Sequence, residues 1–488
     1  MTVMPYRGLA DFLEALGHAG ELARVEAEVD PGGEAAEVTR RIAAAGGPAL
    51  IFRRVTGSDT PLVANLLGTE ARIARALGGR PLDEIAARVA DLADPNRAEG
   101  WLGRLAGTPG SGGFGVAAPR KARSGPAQQV VRLGRDVDLG ELPLVQAGTE
   151  ETAPAITAAT LVCADPSDES PRAVRCDLVQ LGPDRLAACW AESDEPARLL
   201  HEYRRLGEPM PVAAVLGGDP ALALAAAPVL GARVDVLAVA GLLRERPLEV
   251  VRGRSVGLEV PADAEIVIEG RVEPGTQPVD SGRRCGPLGH LVASRPVPVV
   301  QVTAVTHRAN PIFPAMVPGP PPHEACVVTR TMARLFAPLV KLAVPELVDF
   351  DLPLCGGARH VAFLSIRKTH PGQPRRVAMA AWAQRVFEFA KLLIMVDEGV
   401  DVRDPAQVIA AMAAHAEPGR DVFSYQGPGD PLDHAAAPSE LAHRTAIDAT
   451  AKLSGERAGV VPVERAAAQA MQRQVTDRWT EYGLGPEP

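Results

Sequence analysis

Residues 262–272 read Ala-Asp-Ala-Glu-Ile-Val-Ile-Glu-Gly-Arg-Val. The β-branched run Ile266, Val267, Ile268 closes on Val272, with Pro261 before it and Pro274-Gly275 after it, which is the pattern of a strand between turns. Similar runs lie on both sides: VVRL at 130–133, LVQL at 178–181 and VPVVQVTAV at 297–305. A single helical stretch interrupts them near 220–227, and Pro228 is placed to end it. From about 129 to 311 the chain therefore reads as a β-barrel-like domain with an inserted helical segment.

Outward from this block the pattern changes. Upstream, Leu9, Phe12, Leu13 and Leu16 recur at helical spacing, and Gly17 and Gly20 can stop that helix. Residues 21–29 (ELARVEAEV) alternate as a half-buried strand does, 34–45 is helical again, and 48–52 is a short apolar run. Downstream of Val317-Pro318-Gly319-Pro320, the pattern predicts a helix over 329–342, a strand over 360–368, a helix over 376–392 and a strand from 393. The segment 107–115 (GTPGSGGFG), with the small basic cluster that follows, has the composition of a linker or surface loop. The expected organisation is an α/β module over 1–105, a Gly/Pro-rich linker over 106–128, the β-barrel over 129–325 and a second α/β module over 326–488.

Composition narrows the class. A chain of 488 residues suggests about three domains. With 46% hydrophobic and 23% charged residues it is not disordered, and a net charge of −9 provides no basic field for nucleic acid. The longest uncharged stretch of its most apolar region covers 220–232, too short for the ~20 residues of a membrane span. The N-terminus has no apolar signal core, and the six cysteines form no CxxC pair. A cytoplasmic protein with free thiols is expected.

The order of several long segments resembles the UbiD-like decarboxylase family. These are DFLEALGHAGELARVEAEVDP near the start, DVDLGELPLVQAG, AVAGLLRERPLEVV, LEVPADAEIVIEGRVEPG, GPLGH, VPGPPPHE, FLSIRKTHPGQPRRVAMAAW, KLLIMVDEGVDVRDPAQVIAAM and AIDATAK. The resemblance implies an N-terminal α/β domain, a central split β-barrel that binds prenylated FMN or FMN, and a C-terminal α/β domain that supports a homodimer or larger homo-oligomer. It implies a carbon–carbon lyase acting on unsaturated or aromatic small-molecule acids. The flavin would serve as the electron sink, chemistry that the protein only positions.

The resemblance also locates the site, and there this chain departs from the family. The family's Asn-x-x-x-x-Arg falls on Arg172-Ala173-Val174-Arg175-Cys176-Asp177, so Arg172 stands for a metal-ligating Asn and Asp177 for the Arg. The second metal ligand, a His after a Trp, is missing from Trp190-Ala191-Glu192-Ser193-Asp194. The third, a Glu, falls on Val236, with Asp235 beside it on what would be the opposite face of a strand. Glu-Gly-Pro-x-Gly-Glu becomes Cys285-Gly286-Pro287-Leu288-Gly289-His290. No divalent metal is therefore expected. The catalytic candidates are Asp177, Cys285 and His290; Arg172, Arg175 and Lys391 are assigned to the flavin phosphate; and Glu324 is assigned to the substrate. The stretch 307–310 matches a segment on the active-site side or is a surface loop, and Asp448 to Lys452 reads as a cap.

Two readings of the departure follow. In one, the site has degenerated and the chain is a silent subunit of an active homologue. In the other, it has been rebuilt: Arg172 supplies the charge the metal gave, since guanidinium pairs well with phosphate, and Asp177, Cys285 and His290 move protons or form a nucleophile with its base. A version without cofactor would rest on the same three residues.

Overall fold

The computed structural model describes residues 6–93, 117–148, 150–231, 234–436, 441–453, 456, 469–483 and 485. The expected linker segment 107–115 lies outside them. Within 117–128, also read as linker, Arg120–Lys121 pairs in parallel with Glu249–Arg252, and Pro126–Gln128 forms a short 3-10 turn.

Six strands close into an antiparallel barrel. In order around it they are Ile266–Val272, Met210–Leu216, Ala155–Ala164, Pro171–Gln180, Arg185–Ala188 and Val299–His307, which pairs back onto Ile266–Val272. Ile156, Leu161, Leu178, Ala214, Ile268 and Val305 belong to one buried cluster, and their cross-strand pairing sets them on the inner face. Val162, Ala213, Val215 and Val267 belong to a second cluster, shared with the helices outside. Period-two alternation thus separates a barrel core from an outer face that carries other elements.

The flanking modules are α/β. Leu22–Val29, Ala49–Val55 and Leu62–Ala64 form the N-terminal sheet, and its fourth strand is Phe313–Ala315, from beyond the barrel. The C-terminal sheet runs Leu347–Asp351, Val361–Ile366, Leu392–Asp397, Leu441–Asp448, Val422–Pro428.

Several local expectations are corrected. The helix expected over 329–342 is two helices, Glu324–Leu335 and Ala337–Ala343, with Pro338 at the start of the second. Proline supplies no N–H to the preceding turn and crowds its carbonyl. The helix expected over 376–392 ends at Trp382, whose indole folds over the following turn to donate to the Ala390 carbonyl at 2.8 Å. Asp235 and Val236 lie on no strand. Asp235 caps the helix Val236–Leu243 by accepting from the Leu237 and Ala238 N–H groups. Asp448 starts no helix among the described residues: it ends a strand, accepts from the Thr450 N–H at 3.0 Å and pairs with Lys368 and Lys452. All six cysteines are free, and among the described residues no helix is long and apolar enough to cross a membrane.

Candidate functional site

The strand Pro171–Gln180 sets the geometry. The irregularity in its pairing falls on the neighbouring strand, between Ile156 and Ala159, and Cys176 and Leu178 face the barrel core, so Arg175 and Asp177 share the outer face. Arg172 falls on the other face. It sits between Asp165 and Glu195 at 3.9 and 3.6 Å, and its buried Nε has no hydrogen-bond partner. The five-residue spacing that joins Arg172 and Asp177 in the sequence therefore parts them in space.

Asp177 meets the turn that resembles the family's second motif. Arg284–Cys285 pairs with Leu291–Val292, and Gly286 N–H donates to the His290 carbonyl at 2.8 Å. Gly289 closes the turn at φ +78°, where an added Cβ would stand 2.5 Å from the Pro320 nitrogen, so only glycine fits. Arg284 Nη1 donates to Asp177 Oδ2 at 3.0 Å. Glu151 reaches the same turn from the loop before the barrel. Its two carboxylate oxygens accept from the Cys285 and Ala147 N–H groups, each at 2.6 Å. Asp177, Glu151, Arg284, Cys285 and Thr157 line one cavity of about 20 Å³.

The electrostatics of this group are specific. Burial pushes the Glu151 carboxyl up, against the two backbone donors and Arg284. Burial, with Glu151 adding to it, pushes the Cys285 thiol up to about 11. Burial thus disfavours the thiolate that the nucleophile reading of Cys285 requires. His290 does not join the group: it is exposed and stacks on His434 with ring centroids 4.1 Å apart. Sequence reasoning missed Arg284 and Glu151. Arg284 stood one residue before the quoted motif. Glu151 lay far upstream in a loop with no motif of its own.

The remaining assigned residues are dispersed. Arg175 lines a neighbouring cavity of about 60 Å³ together with Pro287, His323, Cys326 and Arg359. Lys391 donates to both oxygens of Asp433 at 2.8 and 3.0 Å, in a separate cavity shared with His443 and Arg444. Glu324 faces the N-terminal module, where it accepts from Leu67 N–H at 2.7 Å. The segment 307–312 borders a cleft of about 920 Å³ between the N-terminal module and the barrel, lined by residues such as Leu13, Ile51 and Ile266, with neither Asp177 nor Cys285 on its wall. Trp190 is buried, and Asp194 pairs with Arg385.

A flavin phosphate needs converging positive charge. Arg172 is already flanked by two carboxylates, Lys391 is held by a third, and Arg175 lies on the opposite face of its strand from Arg172. These residues do not form a phosphate cradle, so the set assigned from the resemblance does not fit the group. Among the described residues, no trio of His, Cys, Asp or Glu is spaced to hold a metal ion.

Comparison with known proteins places the chain. Three family models match successive parts: the N-terminal domain of 3-octaprenyl-4-hydroxybenzoate carboxy-lyase at residues 13–92, its Rift-related domain at 119–321 and its C-terminal domain at 326–449. The UbiD-class enzyme HmfF from Pelotomaculum thermopropionicum, solved with FMN, is 28% identical with a TM-score of 0.73, covering 93% of this chain and 97% of its own. An apo 3,4-dihydroxybenzoic acid decarboxylase from Klebsiella pneumoniae is 25% identical with a TM-score of 0.72, covering 95% and 99%. The vanillic acid decarboxylase of Sedimentibacter hydroxybenzoicus in closed form shares the fold at a TM-score of 0.83 and 24% identity, covering 97% and 98%. The chain belongs to the UbiD-like decarboxylase family, with its three-domain architecture.

Proposed function

We propose that this chain is a carbon–carbon lyase of the UbiD type that acts on an unsaturated or aromatic carboxylic acid beside Asp177, Arg284 and Glu151. The observation that carries the reading is the Arg284–Asp177 ion pair at 3.0 Å, with Glu151 bound to the same turn. A guanidinium and two carboxylates are the kinds of group that the resemblance assigns to the site. Here the arginine is on the turn and one acid is on the strand.

The chemistry follows from the charges. Loss of CO2 leaves the carbon–carbon electron pair on the substrate carbon, which must receive a proton. Glu151, its carboxyl raised by burial, is the acid placed to give that proton and to take it back in the carboxylation direction. Arg284 stabilises the negative charge that develops, and Asp177 fixes the guanidinium. Cys285 contributes its backbone N–H and not its thiol. The same reading makes the chain a cytoplasmic homo-oligomer, in line with an evolved dimeric form of the Pelotomaculum enzyme solved with prenylated FMN.

The test is a panel of aromatic and α,β-unsaturated acids assayed for CO2 release and for deuterium exchange at the product carbon. Protein made with and without a flavin prenyltransferase is compared, and absorbance reports any flavin. Flavin is expected below one per chain, because Arg172 and Lys391 are already neutralised. Turnover is expected to fall about 100-fold or more in Glu151→Gln, the usual scale of general-acid catalysis. Full activity in that variant would refute the role of Glu151. Inactivity of both preparations on every acid, with the fold intact, would favour the silent-subunit reading.

A further inference from the structure

Beside the Asp177 group lies a cation that no acid contacts among the described residues. Arg175 precedes Asp177 by two residues on the same face, about 6.6 Å along the strand, but Asp177 gives its oxygen to Arg284. The cavity of about 60 Å³ is lined by Arg175, Arg359 and Arg385. Arg359 is gripped by both oxygens of Asp430 at 2.5 and 2.9 Å and lies over the Phe389 ring at 4.2 Å. Arg385 pairs with Asp194 and Glu388. Among the described residues the Arg175 guanidinium has one hydrogen bond, to Met316 Sδ at 3.8 Å, and thioether sulfur is a weak acceptor. Burial without an acid in contact pulls its pKa down. A cation held in this way favours an anion brought to it.

The same cavity supplies a complementary group. His323 is 6% exposed, and its Nε2 lies 3.1 Å from the Pro287 carbonyl. A carbonyl can only accept, so Nε2 carries the proton and Nδ1 is left with a lone pair, for which no partner exists among the described residues. Burial pushes the ring's pKa down to about 4, so it is neutral at physiological pH. Ala325, Cys326 and Thr329, from the first turns of the helix Glu324–Leu335, also line the cavity, and a helix N-terminus favours negative charge. The volume is several times the ~10–15 Å³ that one water requires. That suits a group the size of a carboxylate and excludes a flavin.

We propose that this cavity is a bicarbonate subsite, in which Arg175 donates to the oxyanion and His323 Nδ1 accepts from the bicarbonate O–H. An unpaired donor cation and an unpaired neutral acceptor on one small cavity together select a planar oxyanion that carries one hydrogen. The site rests on the lyase reading only for the origin of its ligand, since CO2 released at the neighbouring group hydrates to bicarbonate and a carboxylation would draw on it. A substrate carboxylate shares the oxyanion but lacks the hydrogen, and formate reproduces that difference at nearly the same size.

The experiment titrates full-length protein with sodium bicarbonate and with sodium formate in a sealed calorimeter cell. Tenfold or greater preference for bicarbonate is expected. Arg175→Gln should lose both ligands by tenfold or more. His323→Leu should reduce bicarbonate to the level of formate, and His323→Asn, which keeps an acceptor near the Nδ1 position, should restore part of the preference. Arg175→Lys, which keeps the charge, should retain weak binding of both, and thermal melts establish that each variant is folded. Equal binding of the two anions by the parent protein, or unchanged bicarbonate affinity in folded Arg175→Gln, would overturn the proposal. Binding needs no turnover, so a bicarbonate preference in a protein inactive on every acid would count against the lyase reading alone.

Discussion

Replacing Glu324 by Gln should flatten the dependence of stability on pH. Glu324 is 4% exposed, Oε1 accepts from Leu67 N–H, and Oε2 has no partner. Burial raises its carboxyl from an ordinary 4.5 to about 7, with the Leu67 N–H, Arg72 and Arg175 offsetting only part of the loss of water. A carboxyl raised in the folded state gives stability that is complete below its unfolded pKa and lost as pH rises through its folded pKa. The full loss is (7 − 4.5) × 1.36, about 3.4 kcal/mol. Integrated between about pH 5.5 and about pH 8.5, the part lost is about 2 kcal/mol. For a domain of 150–250 residues that corresponds to an apparent Tm lower by about 4–8 °C at the alkaline end. Gln keeps the acceptor for Leu67 and has no proton to lose. Glu265 and Asp219, raised to about 7 and about 6, are present in both proteins, so their contributions cancel in the comparison. The assay is calorimetric melting of parent and Glu324→Gln across that range. Parallel pH slopes in the two proteins would refute the argument from burial.

Two further outcomes can be measured. Asp430→Asn leaves Arg359 without its buried counter-charge, a carboxylate that binds Arg359 and His360 at 2.5–2.9 Å. The expected cost is about 3–5 kcal/mol, a fall on the order of 10 °C in the melting of the C-terminal module. Those partners hold the Asp430 carboxyl well below its usual range, so this stability is lost on acidification, and an unchanged melt would contradict the pairing. Iodoacetamide at neutral pH should label exposed Cys355 first. With its thiol moved from an ordinary 9.0 to about 11, Cys285 should react about 100-fold more slowly than an unperturbed thiol, and mass spectrometry that finds it labelled as fast as Cys355 would refute its protonated state.

The fold was legible because its evidence is periodic. The β-branched runs at 178–181, 266–268 and 297–305 became barrel strands, and the α/β alternation on either side became two flanking sheets. Where a single residue overrode the pattern, the reading failed: Pro338 divided one helix, and the Trp382 indole turned the chain back after another. The tie between the N-terminal sheet and Phe313–Ala315 could not be read, because a three-residue strand joining a distant sheet leaves no local signal.

The site was legible in its segments and not in its partnerships. Motif comparison pointed to Asp177 and the 285–290 turn, and it counted an arginine replaced by an acid and two acids replaced by Cys285 and His290. Counted by position, that is a lost site. Counted by charge at the cavity wall, one guanidinium and two carboxylates are still present, because Arg284 and Glu151 enter from positions that the motif does not include. Exchanging which chain segment carries the cation keeps the attraction within the pair, reverses the dipole that the pair presents to its surroundings, and erases the sequence signature. On the proposed reading, an arginine on the turn would meet the substrate from a different chain segment than one on the strand. That makes Arg284→Lys a sharper probe than any substitution of Cys285 or His290. Lysine keeps the charge and loses the planar fork that Asp177 orients, so a role confined to net charge would survive it and a role in positioning would not.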